Sequence, residues 1–315
     1  MTNDDTLGIA RRVTEEIPAS LADVRIDRVV SLVADVSRSA AAALIDAGAV
    51  TVDGQVVVAG KERVQQGQTI TVDVSQAPGP ELPAAQAGGA VDIVHEDESV
   101  VVVNKAAGIV VHPGAGNPDG TLVNFLLDLY PEMASAGDPM RPGIVHRLDA
   151  GTTGLMVVAR TAAAYDSLVA QMTARSVTRV YSALVWGIPA SVNGVIDAPI
   201  GRDHRDVTRM AVVVDGRASR THYALEQSFH TPREASLLEC RLETGRTHQI
   251  RVHLASIGHP VVGDAQYGGA RAGIRAGRPM LHARELAFDH PHTGERVNFQ
   301  AAAPADFAAV VATLR

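Results

Sequence analysis

Apolar side chains at Ile26, Val29, Val30 and Val33 recur at helical spacing. Ser37-Arg38-Ser39 then opens a second helix over 40–47, which Gly48 closes. The pattern next shortens to period two. Two strand-like runs, 49–52 and 55–58, flank Asp53-Gly54, a strong hairpin signal, and a further strand over 69–74 follows Gln66-Gly67. Residues 76–90 carry neither period nor core formers and are expected to be a flexible linker.

Beyond residue 91 strands outnumber helices. Strand patterns cover 100–104, 109–111, 155–159, 181–185, 208–214, 219–226 and 235–242, and helical periodicity covers 121–129 and 162–173. Helices do not alternate with every strand, so a doubly wound parallel sheet is not expected. The expected fold class is α+β, a small α+β domain followed by a larger one built on a mainly antiparallel sheet. The expected organisation is a flexible N-terminus over 1–17, a small domain over 18–75, the linker over 76–90 and the large domain over 91–315.

The 315 residues, 46% apolar and 20% charged, are enough to bury more than one core. No apolar run reaches the roughly 18 residues of a membrane span, and the first residues lack the pattern of a secretory leader, so a cytoplasmic protein is expected. The single cysteine, Cys240, excludes an internal disulfide framework and a Cys-pair zinc site. The twelve histidines show no zincin-like spacing, so no metal is expected. The glycines over 113–120 lack the Gly-Lys-Ser/Thr of a phosphate loop, so no cofactor is expected either.

A net charge of -7 argues against a general polyanion binder. Its distribution reopens the question: two lysines stand against 26 arginines, the side chain suited to bidentate phosphate contacts, and Arg271, Arg275, Arg278 and Arg284 run without an acid among them. Those four are a candidate RNA-facing group. Lys105 and His112 are each either RNA contacts or ordinary loop residues.

Residues 143–160 carry the most chemistry. His146-Arg147-Leu148-Asp149 and Gly151-Thr152-Thr153-Gly154 lie between a short strand (Ile144, Val145) and the strand over 155–159. On local pattern alone Asp149 reads first as a turn residue, because Asp-x-Gly marks turns. The other reading is a carboxylate presented to a ligand by a rigid sheet. This run resembles the catalytic-Asp motif of the RluA family of RNA pseudouridine synthases. Two further runs resemble the family's other motifs: Arg179-Val180-Tyr181, opening a strand, and Arg246-Thr247-His248-Gln249-Ile250-Arg251. The first third resembles an S4 RNA-binding domain. With the runs 102–124, 199–206 and 258–268, the chain most resembles the RluD-like branch.

The resemblance implies an enzyme that isomerises uridine to pseudouridine in 23S ribosomal RNA or a precursor of the large subunit. It implies Asp149 as the catalytic carboxylate, Tyr181 as the ring packed on the target base, and Arg251 as the cation that keeps the carboxylate charged and oriented. Arg147 is a candidate for insertion into the stack vacated by an extruded nucleotide. His146, Arg246, His248 and, in the S4 unit, Arg38 are candidate RNA contacts. Thr247 is expected to cap a helix whose first turn carries His248 and Arg251. Where the family often has Lys two residues before the Tyr, Arg179 keeps the charge, and Ala150-Gly151 stands where the branch commonly has a charged pair. The expected partner is RNA, with neither membrane nor DNA, and the protein is expected to be a monomer. Two other readings fit parts of the chain: a non-catalytic RNA-binding or ribosome-assembly protein, and a pseudouridine synthase for another RNA such as tRNA.

Overall fold

The computed structural model describes residues 12–36, 38–76, 82–114, 117–204, 206 and 209–315. Ser37, residues 77–81 of the expected linker, residues 115–116 of the glycine-rich loop, Thr208 and residues 1–11 lie outside the described residues. The chain divides into two compact units, Met1–Glu81 and Leu82–Arg315.

The first unit packs two helices, α1 (Ile26–Val33) and α2 (Arg38–Asp46), on a sheet. The strands are β1 (Arg12–Glu16), β2 (Val50–Val52), β3 (Gln55–Val56) and β4 (Thr69–Asp73), in the order β1-β4-β2-β3, all antiparallel. Ile26, Val29 and Val30 of α1 meet Leu44 and Ile45 of α2 and Ile70 and Val72 of β4 in one core. The apolar stripe spaced three and four apart therefore closes on the alternate residues of a strand. Asp53 and Gly54 both have positive φ (50° and 79°), the conformation of a tight hairpin turn whose twist matches the strands. Residues 12–17 depart from the flexible N-terminus expected there. Residues 12–16 form β1, and Ile17 is buried in the core.

The second unit is built on a nine-stranded sheet. Its strands are β5 (Ile93–Glu96), β6 (Val100–Lys105), β7 (Thr153–Ala159), β8 (Thr178–Trp186), β9 (Asn193–Asp197), β12 (Arg220–Phe229), β13 (Ala235–Leu242), β14 (Leu281–Asp289) and β15 (Arg296–Gln300). A separate hairpin pairs β10 (Ile200–Arg202) with β11 (Met210–Val212). The sheet order is β5-β6-β7-β14-β8-β13-β12-β9, with β15 also on β14, and among the described residues the β7–β14 pair alone is parallel. Helices α3 (Leu122–Leu129) and α4 (Ala162–Ala174) pack on opposite faces. Period-two burial explains how β6 serves both. Val101 and Val103 join the core beneath α3, while Val100 and Val102 join the core beneath α4. Helices α5 (Gln249–Ser256) and α6 (Ala305–Ala312) complete the unit.

Three expectations need amendment here. Residues 109–111 form no strand, although Val110 and Val111 carbonyls accept from the first amides of α3. Residues 82–90, assigned to the linker, lie against α3: the Asn124 amide donates to Ala84 O (2.8 Å), and the Gln86 amide donates to Asn124 O (2.9 Å). Of the four arginines read as an RNA-facing group, Arg278 is paired with Asp306 and Arg284 with Glu226 and Glu239. Their partners come from α6, β12 and β13, so an acid-free stretch of sequence did not make an acid-free surface.

Candidate active site

Asp149 occupies the turn between the Ile144 bridge and β7, and the turn is held from behind. The Thr152 amide donates to Asp149 O (3.0 Å), and the Gly108 amide donates to Ala150 O (2.8 Å). The buried Lys105 ammonium donates to Ala150 O (3.2 Å) and to the Ala106 and Ile109 carbonyls, and Arg278 Nη1 donates to Gly151 O (3.1 Å). Burial pushes the Lys105 pKa down to about 8. With three carbonyls around its nitrogen, Lys105 is an anchor of this turn. Gly154, at φ +113°, admits β14 at the foot of the turn, since a Cβ there would lie 2.2 Å from Ala283 O. Asp149 makes the turn, and its side chain lines a cavity of about 640 Å³.

The carboxylate is met from the first turn of α5. Arg251 Nη1 donates to Asp149 Oδ2 at 2.9 Å, while its Nε and Nη2 donate to the fully buried Asp264 at 2.6 and 2.9 Å. Burial alone would lower the Arg251 pKa, but Asp264 and Asp149 outweigh it and hold the guanidinium above its ordinary value. One cation thus bridges two carboxylates, and breaking such a buried pair costs about 3 to 5 kcal/mol. The helix does not begin as expected. His248, not Thr247, is the capping residue, in the left-handed conformation at φ 56°, and the buried Gln249 side chain bonds Thr244, the Arg246 amide, Arg220 O and Thr221 to lock the turn. A fixed side-chain lock substitutes for the hydroxyl cap.

Tyr181 lies on the cavity side of β8, 5% exposed, in the core beneath α3. Burial raises its pKa, Arg179 opposes this, and the charge of Asp149 adds to the rise. Arg179, on the same face, is buried, and its pKa is lowered by that burial. His146 also lines the cavity, yet its Nε2 accepts the Val157 amide (3.1 Å), and burial, with Arg179 nearby, pushes its pKa down to about 3. It is neutral near pH 7 and fastens the loop to β7, so a cationic RNA contact by His146 is not what this arrangement offers. His248 lies with Nε2 3.8 Å from Asp149 Oδ1. Arg147 and Arg246 are exposed at the cavity wall. Arg38 is exposed at the start of α2, in the other unit.

Six arginines line the cavity (Arg141, Arg147, Arg175, Arg179, Arg246 and Arg251) against two carboxylates, Asp149 and Glu243. A chain of net charge -7 therefore presents a locally positive basin. Asp264 and Gln249 are the site residues that sequence reasoning missed. Asp264 stands inside the run 258–268, whose role was not assigned from sequence, and no spacing rule links it to Arg251. His95, Asp97 and His290 also come together, their ligand atoms within 4.8 Å of one another. Both imidazole Nε2 atoms sit at hydrogen-bond distance from Asp97 Oδ2, and His290 Nδ1 accepts the His292 and Thr293 amides. Those bonds describe a clasp between the β5–β6 and β14–β15 turns. Among the described residues no helix is long and apolar enough to cross a membrane.

Residues 99–256 match the RNA pseudouridylate synthase family, and residues 24–70 match the S4 domain. An uncharacterised RNA pseudouridine synthase of Bacillus subtilis is 45% identical over 84% of this chain and 86% of its own length. The ribosomal large subunit pseudouridine synthase D of Pseudomonas aeruginosa is 42% identical over 95% of each. Among solved structures, human RNA pseudouridylate synthase domain containing 1 is 29% identical, with a TM-score of 0.55, over 69% of this chain and 86% of that one. The chain belongs to the RNA pseudouridine synthase family and carries an S4 domain at its N-terminal end.

Proposed function

We propose that this protein converts specific uridines of large-subunit ribosomal RNA to pseudouridine in the cytoplasm, with Asp149 as the catalytic carboxylate. The observation that carries the proposal is the geometry at Asp149: a carboxylate held by Arg251 at 2.9 Å, sharing a positive cavity with the Tyr181 ring. The target class is supported by the relative of Pseudomonas aeruginosa, named a large-subunit pseudouridine synthase, and by the S4 domain.

In the reaction the N1–C1′ bond of a uridine breaks, the uracil turns, and C5–C1′ forms. A proton leaves C5 and one is returned to N1, so atoms balance without any other reactant. A carboxylate can form a covalent intermediate or stabilise a cationic sugar. Tyr181 supplies a flat apolar face to the loosened base, worth about 1 to 3 kcal/mol in stacking. Arg147 stands at the exposed end of the same loop, where it would occupy the gap left by the extruded nucleotide and offset part of a cost of a few kcal/mol. The S4 unit would raise the local concentration of the RNA element beside which the target lies.

The test is tritium release from RNA labelled at uridine C5. A 23S transcript and unmodified large subunits are incubated with wild type and with Asp149→Asn. Release by wild type alone supports the proposal. No release by either on both substrates removes it in favour of an RNA-binding role, and release only from tRNA reassigns the substrate.

A further inference from the structure

The loop between Val261 and Gly269 touches the site only through other side chains, yet its two functional groups both lead to Asp149. The loop is tightly closed: the Gly269 amide donates to Asp264 O (2.7 Å), the Gly263 amide to Gly269 O (2.9 Å), and a Cβ on Gly269 would lie 1.7 Å from Val261 O. The Asp264 carboxylate is fully buried and fully engaged. Its Oδ2 accepts Arg251 Nε (2.6 Å), and its Oδ1 accepts Arg251 Nη2 (2.9 Å) and the amides of Gln266 (3.1 Å) and Tyr267 (3.3 Å). Gln266 Oε1 also accepts Arg251 Nη2 (3.1 Å), and the Arg251 guanidinium carbon lies 4.9 Å from the centre of the Tyr267 ring. With Nε and Nη2 committed, Nη1 is the nitrogen turned to Asp149, and it takes Oδ2.

Tyr267 acts on the second neighbour. Its hydroxyl oxygen accepts the Met210 amide (3.1 Å) and lies 2.8 Å from His248 Nδ1. The hydroxyl oxygen keeps a second lone pair and could also accept from Nδ1–H, but the Asp149 carboxylate facing Nε2 favours the imidazole proton there, which leaves Nδ1 as the acceptor of the hydroxyl proton. That places the imidazole proton on Nε2, the nitrogen 3.8 Å from Asp149 Oδ1, beyond hydrogen-bond length. Burial lowers the His248 pKa, opposed by the charge of Asp149.

We propose that Asp264 and Tyr267 are positioning residues of the isomerase site: Asp264 aims Arg251 at Oδ2 of Asp149, and Tyr267 sets His248 as the neutral Nε2–H tautomer, so that Oδ1 is the reacting oxygen. The inference rests on the function proposed above. Its electrostatic content is that two carboxylates share one guanidinium, so the Asp149–Arg251–Asp264 cluster, within a basin that is positive as a whole, keeps one negative charge at the attacking atom. A single Arg–Asp pair would neutralise it.

Two measurements test this. Nitrogen shifts of the His248 imidazole in the full chain, without RNA, read the tautomer directly: Nε2 protonated in wild type, and a mixture of tautomers in Tyr267→Phe. Steady-state kinetics then read Asp264→Asn, for which kcat falls about 100-fold with KM for RNA unchanged, as expected for a displaced reacting group. A wild-type His248 protonated on Nδ1 overturns the Tyr267 assignment. A folded Asp264→Asn with wild-type kcat, or with the loss in KM alone, overturns the Asp264 assignment. If Asp264→Asn does not fold, Tyr267→Phe decides through its tautomer and a reduced kcat. If the wild type itself turns over no RNA, the isomerase reading fails, and the tautomer still reports on Tyr267 independently.

Discussion

Arg38 of the small unit and Arg251 of the large one are arginines placed in opposite ways. In the N-terminal unit Arg38 opens α2 exposed to solvent, and the Arg25–Asp27 and Arg63–Asp23 pairs lie at the surface. In the larger unit Arg251 opens α5 buried between two carboxylates, and Arg278 reaches inward to the Asp149 turn. An exposed guanidinium keeps its hydration and its freedom, so it can neutralise phosphate wherever the RNA presents it. A buried one has surrendered both, and it holds its partners in one geometry. Binding needs the first arrangement and bond-making needs the second.

Replacing Arg251 tests that contrast most severely. Arg251→Met leaves Asp264 buried without its cation and should cost about 3 to 5 kcal/mol, read as a large fall in the unfolding midpoint, together with loss of turnover. Arg38→Ala should change stability by no more than about 0.5 kcal/mol. Equal losses from the two would break the comparison. Tyr181→Leu keeps an apolar group in the core but loses the ring, and should lower kcat/KM by roughly 5- to 150-fold, the equivalent of about 1 to 3 kcal/mol of stacking; activity matching wild type would remove the ring from the mechanism.

The pH dependence of stability sharpens the same point. The folded protein holds His146 at a pKa of about 3, below its ordinary 6.5, so between those values the unfolded chain binds the extra proton. The stability associated with neutral His146 is complete above pH 6.5 and is lost as pH falls towards 3. Chemical denaturation at several pH values should therefore give a shallower acid loss for His146→Gln than for wild type, and parallel profiles would refute it. The smallest effect belongs to Arg38: Arg38→Ala should reduce the salt slope of RNA affinity by about 0.7 to 0.9 with kcat unchanged, measured by titration at several ionic strengths.

Much of this architecture was legible because its signals are local. The stripe of Ile26, Val29 and Val30, the Asp53-Gly54 hairpin and the strand patterns at 100–104 and 235–242 each follow from a repeat within a few residues. Elements without such a repeat were missed. β1 is Arg-Val-Thr-Glu-Glu, an edge strand with almost nothing buried, and its pairing with β4 is visible only once the two segments meet. The cap of α5 was misassigned because Thr247 satisfies a local rule, while Gln249 reaches partners on β12 that no local rule contains.

By itself the sequence determined the α+β class, the two kinds of unit and, through the motifs around Asp149, Tyr181 and Arg251, which side chains to watch. The tertiary structure decided what surrounds them. Arg251 and Asp149 are 102 positions apart, and Arg251 and Asp264 are 13 apart, yet the three meet within 3 Å. Lys105, Arg278 and His146, open to an RNA-contact reading in one dimension, became anchors of the Asp149 loop. The physical reason is that periodicity and turn chemistry act between neighbours, whereas desolvation and charge pairing depend on which distant groups the packed sheet brings into the same dry space.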